Sequence, residues 1–154
     1  MVGWVDMKAP DAPSVVADLA MLPKLKGLRP MLQDLAEDDW IDDPALDPSV
    51  AAMRAHDLVF DALVLPRHLQ ALEAFARRHP DLPIVIDHAA KPLIAEGQYT
   101  DWRKSMKSLA GLANVWCKLS GMLTEAGSQK PQAVRPYAET VLAVSYTHLR
   151  AHET

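Results

Sequence analysis

Short apolar runs alternate along the chain with longer stretches in which apolar residues recur at helical spacing. A short apolar run bounded by turn residues is typical of a buried strand, whereas apolar residues three and four apart line one face of a helix. On this basis the predicted strands are residues 2–7, 27–32, 60–65, 84–88 and 114–121. The predicted helices are residues 11–22, 48–55, 66–80, 100–113 and 132–144, the last bent or restarted at Pro136.

Strands that alternate with helices imply a parallel sheet with right-handed crossovers, either doubly wound or closed into a barrel. No glycine-rich phosphate loop follows a predicted strand, which argues against a dinucleotide-binding sheet. Polar residues instead follow successive strands, as in barrel enzymes. They are Asp6, Arg29, His88, Lys118 and Ser120. A complete barrel has about eight strand-helix units in roughly 250 residues, so these five units predict an α/β fold that is a partial (β/α) barrel with a parallel sheet.

Composition narrows the class of protein further. The 154 residues are 49% hydrophobic and 23% charged, as in globular domains, and the net charge of −4 gives no basic field for nucleic acid. Cys117 is the single cysteine, so a disulfide-free protein of a reducing compartment is expected. No apolar stretch approaches the roughly 20 residues of a membrane span, and the N-terminus lacks a signal-peptide pattern. We therefore expect a soluble cytoplasmic protein that binds neither nucleic acid nor membrane.

The stretch IVIDHAAKP places Asp87 and His88 directly after an apolar run. If the strand includes both, His88 shares a face with Ile84 and Ile86 and points into the barrel mouth, while Asp87 lies on the other face with Val85. A neutral imidazole there can donate to a substrate carbonyl or bind a divalent metal; the alternative is a core histidine held by a backbone carbonyl. Asp87 is expected to cap a helix or to orient a neighbouring loop.

Arg29 lies at the start of an apolar strand, where an unpaired guanidinium is costly. A substrate carboxylate held by two parallel hydrogen bonds would neutralise it. A structural ion pair with Asp6 would serve equally well. Both interpretations stay open at this point.

The stretch NVWCKLSG suggests further residues of the barrel mouth. Alternation along a strand places Lys118 on the same face as Trp116 and Ser120, so Lys118 and Ser120 are candidate substrate-binding residues. Cys117 points away and has no adjacent base, which favours a packing role over a nucleophilic one. His68 follows the third strand and is expected to begin a helix rather than to face the mouth.

Four stretches, in this order and spacing, resemble the amidohydrolase-related lactonases, a family that includes fuconolactonases and the 2-pyrone-4,6-dicarboxylate lactonase. They are KGLRPMLQDLAEDDWI, FDALVLPRHLQAL, RHPDLPIVIDHAAKP and NVWCKLSGMLTEA, and the resemblance covers about residues 2–143. It implies a TIM-type barrel of which the chain supplies about the third to the seventh strand. The family's first strand, with a His-x-His pair, and its eighth, with the general-base aspartate, have no counterpart in the sequence.

The resemblance implies a hydrolase whose full form opens a lactone of a sugar acid or of an aromatic breakdown product. Water would attack the ring carbonyl, the eighth-strand aspartate would take its proton, and His88 with the missing histidines would polarise the carbonyl oxygen. Arg29 and Lys118 would hold a substrate carboxylate or hydroxyls. Some relatives use a divalent metal, zinc or manganese, which His88 would then bind, and others use none. The alternatives are a metal-dependent decarboxylase of the same superfamily and an inactive truncated chain.

The last ten residues, SYTHLRAHET, differ from the rest in pattern. We expect residues 1–144 to form the partial barrel and residues 145–154 to be a non-native tail, similar to translated adapter sequence. The alternative is a frayed helix end with surface histidines. The tail offers little apolar surface, so we expect it to pack poorly against the barrel.

Overall fold

The computed structural model describes residues 1–127 and 130–149, with side chains up to residue 143, and is built on one parallel sheet. Its strands are β1 (Val2–Gly3), β2 (Gly27–Leu28), β3 (Val59–Ala62), β4 (Ile84–Ile86) and β5 (Val115–Cys117). They lie side by side in chain order, and every neighbouring pair is parallel. A doubly wound sheet reverses its strand order at a switch point, whereas a barrel does not. The predicted α/β partial barrel is confirmed.

Helices connect the strands as the periodicity predicted. They are α1 (Ala12–Ala20), α2 (Asp47–Ala55), α3 (Leu69–Arg78), α4 (Thr100–Leu109), α5 (Met122–Ala126) and α6 (Arg135–Leu149). Short 3-10 turns cover Trp40–Asp42, Pro44–Leu46, Pro66–His68, Asp87–Ala90 and Pro131–Val134. Prolines stand at the starts of α1 and α2, where the missing N–H has no intrahelical acceptor to lose. Helix α5 was not predicted, because it is a single short turn after β5. Among the described residues, every helix is too short or too polar to cross a membrane.

The last helix was predicted over residues 132–144, and the structure has different bounds for it. A separate 3-10 turn precedes α6, so the helix restarts next to Pro136 as expected. Its backbone continues to Leu149, beyond the predicted end at residue 144. The expected poor packing of residues 145–154 concerns side chains that lie outside the described residues, and it stays a prediction.

One face of the sheet packs against the helices and forms the core. Leu28, Phe60, Ile84 and Val115 are paired in register across β2 to β5, and all four are buried. Phe60 lies 4.9 Å from the ring of Phe75 on α3, measured between centroids. Removing such a buried aromatic ring costs about 3–5 kcal/mol. The buried side chains of this face therefore hold the sheet against the helices.

The opposite face of the sheet is open. Asp61, Val85 and Trp116 are paired in register on it, and Trp116 is 39% exposed. Gly27 pairs with Val59 on the same face. The ladder continues one residue past β5, where the Lys118 N–H donates to the Ile86 carbonyl at 2.9 Å. Residues just beyond the strands thus keep the alternation that assigns them to one face or the other.

Candidate active site

Four charged side chains meet where neighbouring strands end on the open face. Asp61 is itself one of the residues on the open face, and the other three each lie two positions after an open-face residue of their strand. Because side chains along a strand alternate between the two faces, all four lie on the same side of the sheet. We call this set the charge quartet; its members are Arg29, Asp61, Asp87 and Lys118. They come from four consecutive strands, β2 to β5. This is the end of a parallel sheet at which barrel enzymes carry their catalytic groups.

Each aspartate of the charge quartet contacts both cations. Arg29 Nη2 lies 2.6 Å from Asp61 Oδ2 and 2.8 Å from Asp87 Oδ2. Lys118 Nζ donates to Asp61 Oδ1 at 2.9 Å and to Asp87 Oδ1 at 2.5 Å. Asp61 and Asp87 are 2% and 1% exposed, whereas the side chains of Arg29 and Lys118 are 34% and 45% exposed. The carboxylates are therefore enclosed, and the cations form the surface of the mouth.

Within the charge quartet, hydrogen bonds favour the charged forms of Asp61 and Lys118. Burial raises the pKa of Asp61, but hydrogen bonds from Lys118 and Arg29 outweigh it and hold that pKa below its usual value. Burial lowers the pKa of Lys118, and the hydrogen bonds to Asp87 and Asp61 more than compensate, so the pKa of the ammonium is raised. Two positive and two negative groups give a net charge of zero. The site thus holds four charges without presenting a net charge to a ligand.

The partners of Arg29 differ from those the sequence suggested. One of the two interpretations from the sequence was an ion pair between Arg29 and Asp6. Asp6 instead accepts a hydrogen bond from the Lys8 backbone N–H at 3.2 Å. Arg29 pairs with Asp61 and Asp87. Asp87 was expected to cap a helix or to orient a neighbouring loop; no side-chain capping bond is made at the turn Asp87–Ala90, and its carboxylate instead contacts Arg29 and Lys118, which lie just beyond β2 and β5. Asp61 was overlooked, although a lone aspartate within the apolar run FDALVL was a usable signal.

His88 reaches the mouth by a different route from the predicted strand. Strand β4 ends at Ile86, and the residues His88, Ala89, Ala90 and Lys91 have φ values of 49°, 52°, 60° and 48°. Ile84 and Ile86 face the helices, so an extended strand would have buried His88 beside them. The left-handed turn redirects the chain instead. Non-glycine residues adopt this conformation at a cost of roughly 1–2 kcal/mol each, and such strain concentrates at functional sites.

The imidazole of His88 is fixed by residues that follow β5. Its Nδ1 lies 2.9 Å from Ser120 Oγ. Gly121, with φ of 74°, packs against the ring so closely that a Cβ there would lie 2.9 Å from His88 Cβ. The prediction that β4 and β5 are parallel neighbours that bring His88 and Ser120 to one rim is confirmed. Because Ser120 engages Nδ1, Nε2 is the nitrogen available to a substrate.

Two further predictions concern residues beside the mouth. Burial raises the pKa of the Cys117 thiol to about 12, so the thiol stays protonated, in keeping with a packing role. His68 lies in the 3-10 turn before α3, where its Nδ1 accepts from the Leu65 N–H at 3.0 Å, so it begins a helix as expected.

The residues at the mouth offer few free ligands for a metal ion. His88 offers one nitrogen, and both carboxylates of the charge quartet are already bound to two cations. Across the described residues, no group of three or more histidine, cysteine, aspartate or glutamate side chains is arranged to hold a metal ion. These residues do not form a metal site by themselves.

Comparison with known proteins gives consistent matches. Residues 1–147 match a protein family described as amidohydrolase. An L-fucono-1,5-lactonase of Burkholderia ambifaria is 62% identical over 143 residues, which are 92% of this chain and 49% of the relative. A second L-fucono-1,5-lactonase, from Burkholderia multivorans, is 42% identical over 82% of this chain and 44% of its own length. The chain spans about half the length of the curated relatives it matches.

Solved structures agree with these matches. A crystal structure of an amidohydrolase from Burkholderia multivorans with bound zinc has a TM-score of 0.82 and 37% identity, over 96% of this chain and 54% of that one. A protein described as a probable 2-pyrone-4,6-dicarboxylic acid hydrolase from Acinetobacter baumannii, with citric acid bound, has a TM-score of 0.72 at 18% identity, over 95% of this chain and 52% of that one. The second likeness supports the fold alone.

Proposed function

The chain belongs to the amidohydrolase family, and on that premise we propose that the whole protein hydrolyses a neutral lactone of a sugar acid. The names of the two lactonase relatives support a lactone as substrate. The observation that carries the proposal from this structure is the imidazole of His88, held at the rim of the open face by Ser120. Water attacks the ring carbonyl, and the ring C–O bond breaks to give a hydroxy acid.

His88 supplies the electrophilic assistance in this proposal. Its Nε2 binds the carbonyl oxygen of the lactone, on which negative charge develops as water adds. The hydrogen bond between Nδ1 and Ser120 Oγ restricts the ring to one orientation, so little reorganisation accompanies the reaction. Ser120 therefore acts through His88.

The general base lies outside the charge quartet. Asp61 and Asp87 are enclosed and each contacts both cations, so neither carboxylate is placed to take a proton from water. The family resemblance assigns this task to an aspartate on an eighth strand. The five strands of this chain would then supply the polarising histidine and the substrate-facing cations.

The substrate class follows from the neutrality of the charge quartet. Arg29 and Lys118 face the mouth, but two carboxylates already balance their charge. A substrate carboxylate there would add a negative charge next to Asp61 and Asp87, which is unfavourable in a partly buried site. Hydroxyl groups can accept from the remaining N–H groups of the cations without this repulsion. We therefore assign hydroxyls, rather than the carboxylate considered for Arg29 from the sequence, to these two residues.

A comparison of substrates in the whole protein tests the proposal. Initial rates of acid release are measured for a sugar-acid 1,5-lactone and for a dicarboxylate-bearing pyrone of similar size. We expect kcat/KM to favour the neutral lactone by about 100-fold or more, since a site that matches substrate hydroxyls discriminates strongly. A preference for the dicarboxylate, or release of carbon dioxide in place of ring opening, would refute it.

The cellular location is a separate proposal. The single, free cysteine of this chain fits a reducing compartment, so we propose that the protein lies in the cytoplasm, where a small-molecule lactone would be its substrate. Cell fractionation followed by immunodetection checks this. Recovery of the protein in the periplasmic or membrane fraction would contradict it.

A further inference from the structure

The left-handed turn after β4 needs contacts from outside itself. Four consecutive non-glycine residues, 88–91, have positive φ, and within the turn the Lys91 N–H donates to the His88 carbonyl at 2.9 Å. This conformation is unfavourable for residues with a Cβ, so one internal hydrogen bond does not account for it. The neighbouring elements must stabilise the turn.

Two long-range hydrogen bonds hold the turn at Ala89. Its N–H donates to the Lys118 carbonyl after β5, at 3.2 Å. Its carbonyl accepts from the Trp102 indole N–H on α4, at 2.8 Å. Trp102 is 4% exposed and Ala89 is fully buried, so neither group has water as an alternative partner. The peptide groups on both sides of Ala89 are therefore clamped between a strand end and a helix.

This clamp lies next to the imidazole of His88. The ring is confined between Ser120 Oγ, 2.9 Å from Nδ1, and the backbone of Gly121. The Ala89 carbonyl belongs to the peptide between Ala89 and Ala90, and the Ala89 N–H belongs to the peptide that joins His88 to Ala89. A change in the backbone angles of Ala89 would turn these two peptides relative to each other and move the Cα of His88. The ring cannot follow without meeting Gly121 or leaving Ser120. The orientation of the ring thus depends on the peptide that Trp102 binds.

We propose that Trp102 is a positioning residue, whose indole N–H on the Ala89 carbonyl fixes the left-handed turn so that His88 Nδ1 stays on Ser120. Trp102 itself lies on α4 and binds the turn from the side of the core. The effect on ring geometry rests on the structure alone. The effect on turnover rests on the function proposed above.

The geometric part is tested by nitrogen NMR of the histidine side chains in the full 154-residue chain, with His88→Ala used to assign the ring signals. Ser120→Ala defines the Nδ1 shift when its hydrogen bond is lost. We expect Trp102→Phe to move the His88 Nδ1 signal toward that shift and to change the tautomer ratio, because Phe fills most of the space but cannot donate. Tyr137→Phe is the matched control. It removes the hydroxyl that donates to the Gln98 carbonyl at 3.1 Å, within the same aromatic cluster as Trp102.

A second variant covers the case in which Trp102→Phe does not fold. A benzothienyl-alanine at position 102 keeps the bicyclic shape and replaces the N–H by sulfur. If His88 keeps the wild-type Nδ1 shift and tautomer ratio in whichever of these variants folds, the proposal is overturned. A shift toward the Ser120→Ala value in that variant, with Tyr137→Phe unchanged, supports it.

Kinetics of the whole protein complete the test. We expect Trp102→Phe to lower kcat by about 10- to 100-fold with KM within about twofold of wild type, since a small misplacement of a catalytic group has effects of this size. A change confined to KM would contradict the positioning role. If His88→Ala leaves hydrolysis intact, the proposed function fails, while the NMR result still decides whether Trp102 positions the ring.

Discussion

The charge quartet predicts that loss of a half-exposed cation destabilises the chain more than loss of a buried carboxylate. Arg29→Met leaves Asp61 and Asp87, 2% and 1% exposed, with Lys118 as the one cation of the quartet. Asp61→Asn leaves two cations whose side chains are 34% and 45% exposed, and water can solvate them. Each change removes two ion pairs, of which the pair between Arg29 and Asp61 is common to both, but the charges left behind differ.

The magnitudes follow from this difference. Removing one partner of a buried ion pair costs about 3–5 kcal/mol, whereas exposed pairs contribute about 0–1 kcal/mol. We expect Arg29→Met to lower the free energy of unfolding by about 3 kcal/mol, because it leaves enclosed carboxylates under-compensated. We expect Asp61→Asn to cost about 1–2 kcal/mol, since Asp87 still contacts both cations, at 2.8 Å and 2.5 Å.

The pH dependence has a definite sign. In the wild type the pKa of Asp61 is lowered, so its contribution to stability is present above the unfolded-state pKa of about 4 and is lost as the pH falls through the folded-state pKa. In Arg29→Met, Lys118 is the one cation of the quartet left to lower the pKa of Asp61, while burial still raises it. We therefore expect the folded-state pKa of Asp61 to rise. A raised pKa favours the folded state at low pH. The difference in stability between wild type and Arg29→Met should therefore shrink on acidification.

Urea unfolding followed by circular dichroism, at pH about 7 and about 3, measures these differences. Arg54→Met is the matched control, because Arg54 pairs with Asp81 at an exposed position, and its loss should stay below about 1 kcal/mol. Equal losses of stability in Asp61→Asn and Arg29→Met at both pH values would contradict this prediction. A loss of stability in Arg29→Met no larger than that in Arg54→Met would contradict it as well.

Three further outcomes are expected. Burial lowers the pKa of His68 and of His79, so stability should decline as the pH falls below about 6.5, and His68→Gln should reduce the slope; an unchanged slope would contradict this. Cys117 should react with iodoacetamide far more slowly in the native chain than in urea, because burial raises the pKa of its thiol; equal rates would contradict that. Deletion of residues 145–154 should leave the melting temperature unchanged within error, whereas a clear drop would show that the tail packs on the barrel.

The fold could be predicted because its signals are local. Apolar runs and helical spacing are set by which residues must be buried within each element, and parallel strands joined by helices leave few topologies. The meeting of His88 and Ser120 followed from the same logic, since the carboxyl ends of adjacent parallel strands share an edge. The strands are shorter than predicted, and three of them, β2, β4 and β5, end directly before Arg29, Asp87 and Lys118.

The turn at residues 88–91 could not be predicted from local sequence. Left-handed backbone is ordinarily marked by glycine or asparagine, and the stretch HAAK contains neither. The two long-range hydrogen bonds at Ala89 involve Lys118 and Trp102, and the sequence pattern identifies Trp102 only as an apolar residue of a helix.

The partners of Arg29 were missed for a related reason. Asp61 lies 32 residues away in sequence, on the next strand of the sheet. Its pairing depends on the strand register, which the sequence pattern does not specify to one residue. The alternation of positions 27 and 29, 59 and 61, 85 and 87, and 116 and 118 becomes informative only once that register is known.

Hydrolysis of a sugar-acid lactone by the whole protein with His88→Ala is the most direct measurement of the proposed role of His88. We expect kcat to fall by about 100- to 10,000-fold, as for loss of a group that acts on the reacting atoms. His56→Ala, at an exposed helix end, is the control and should leave kcat unchanged. The 154-residue chain alone should show no turnover. Near-wild-type turnover by the His88→Ala protein, or lactone hydrolysis by the 154-residue chain itself, would contradict the proposed mechanism.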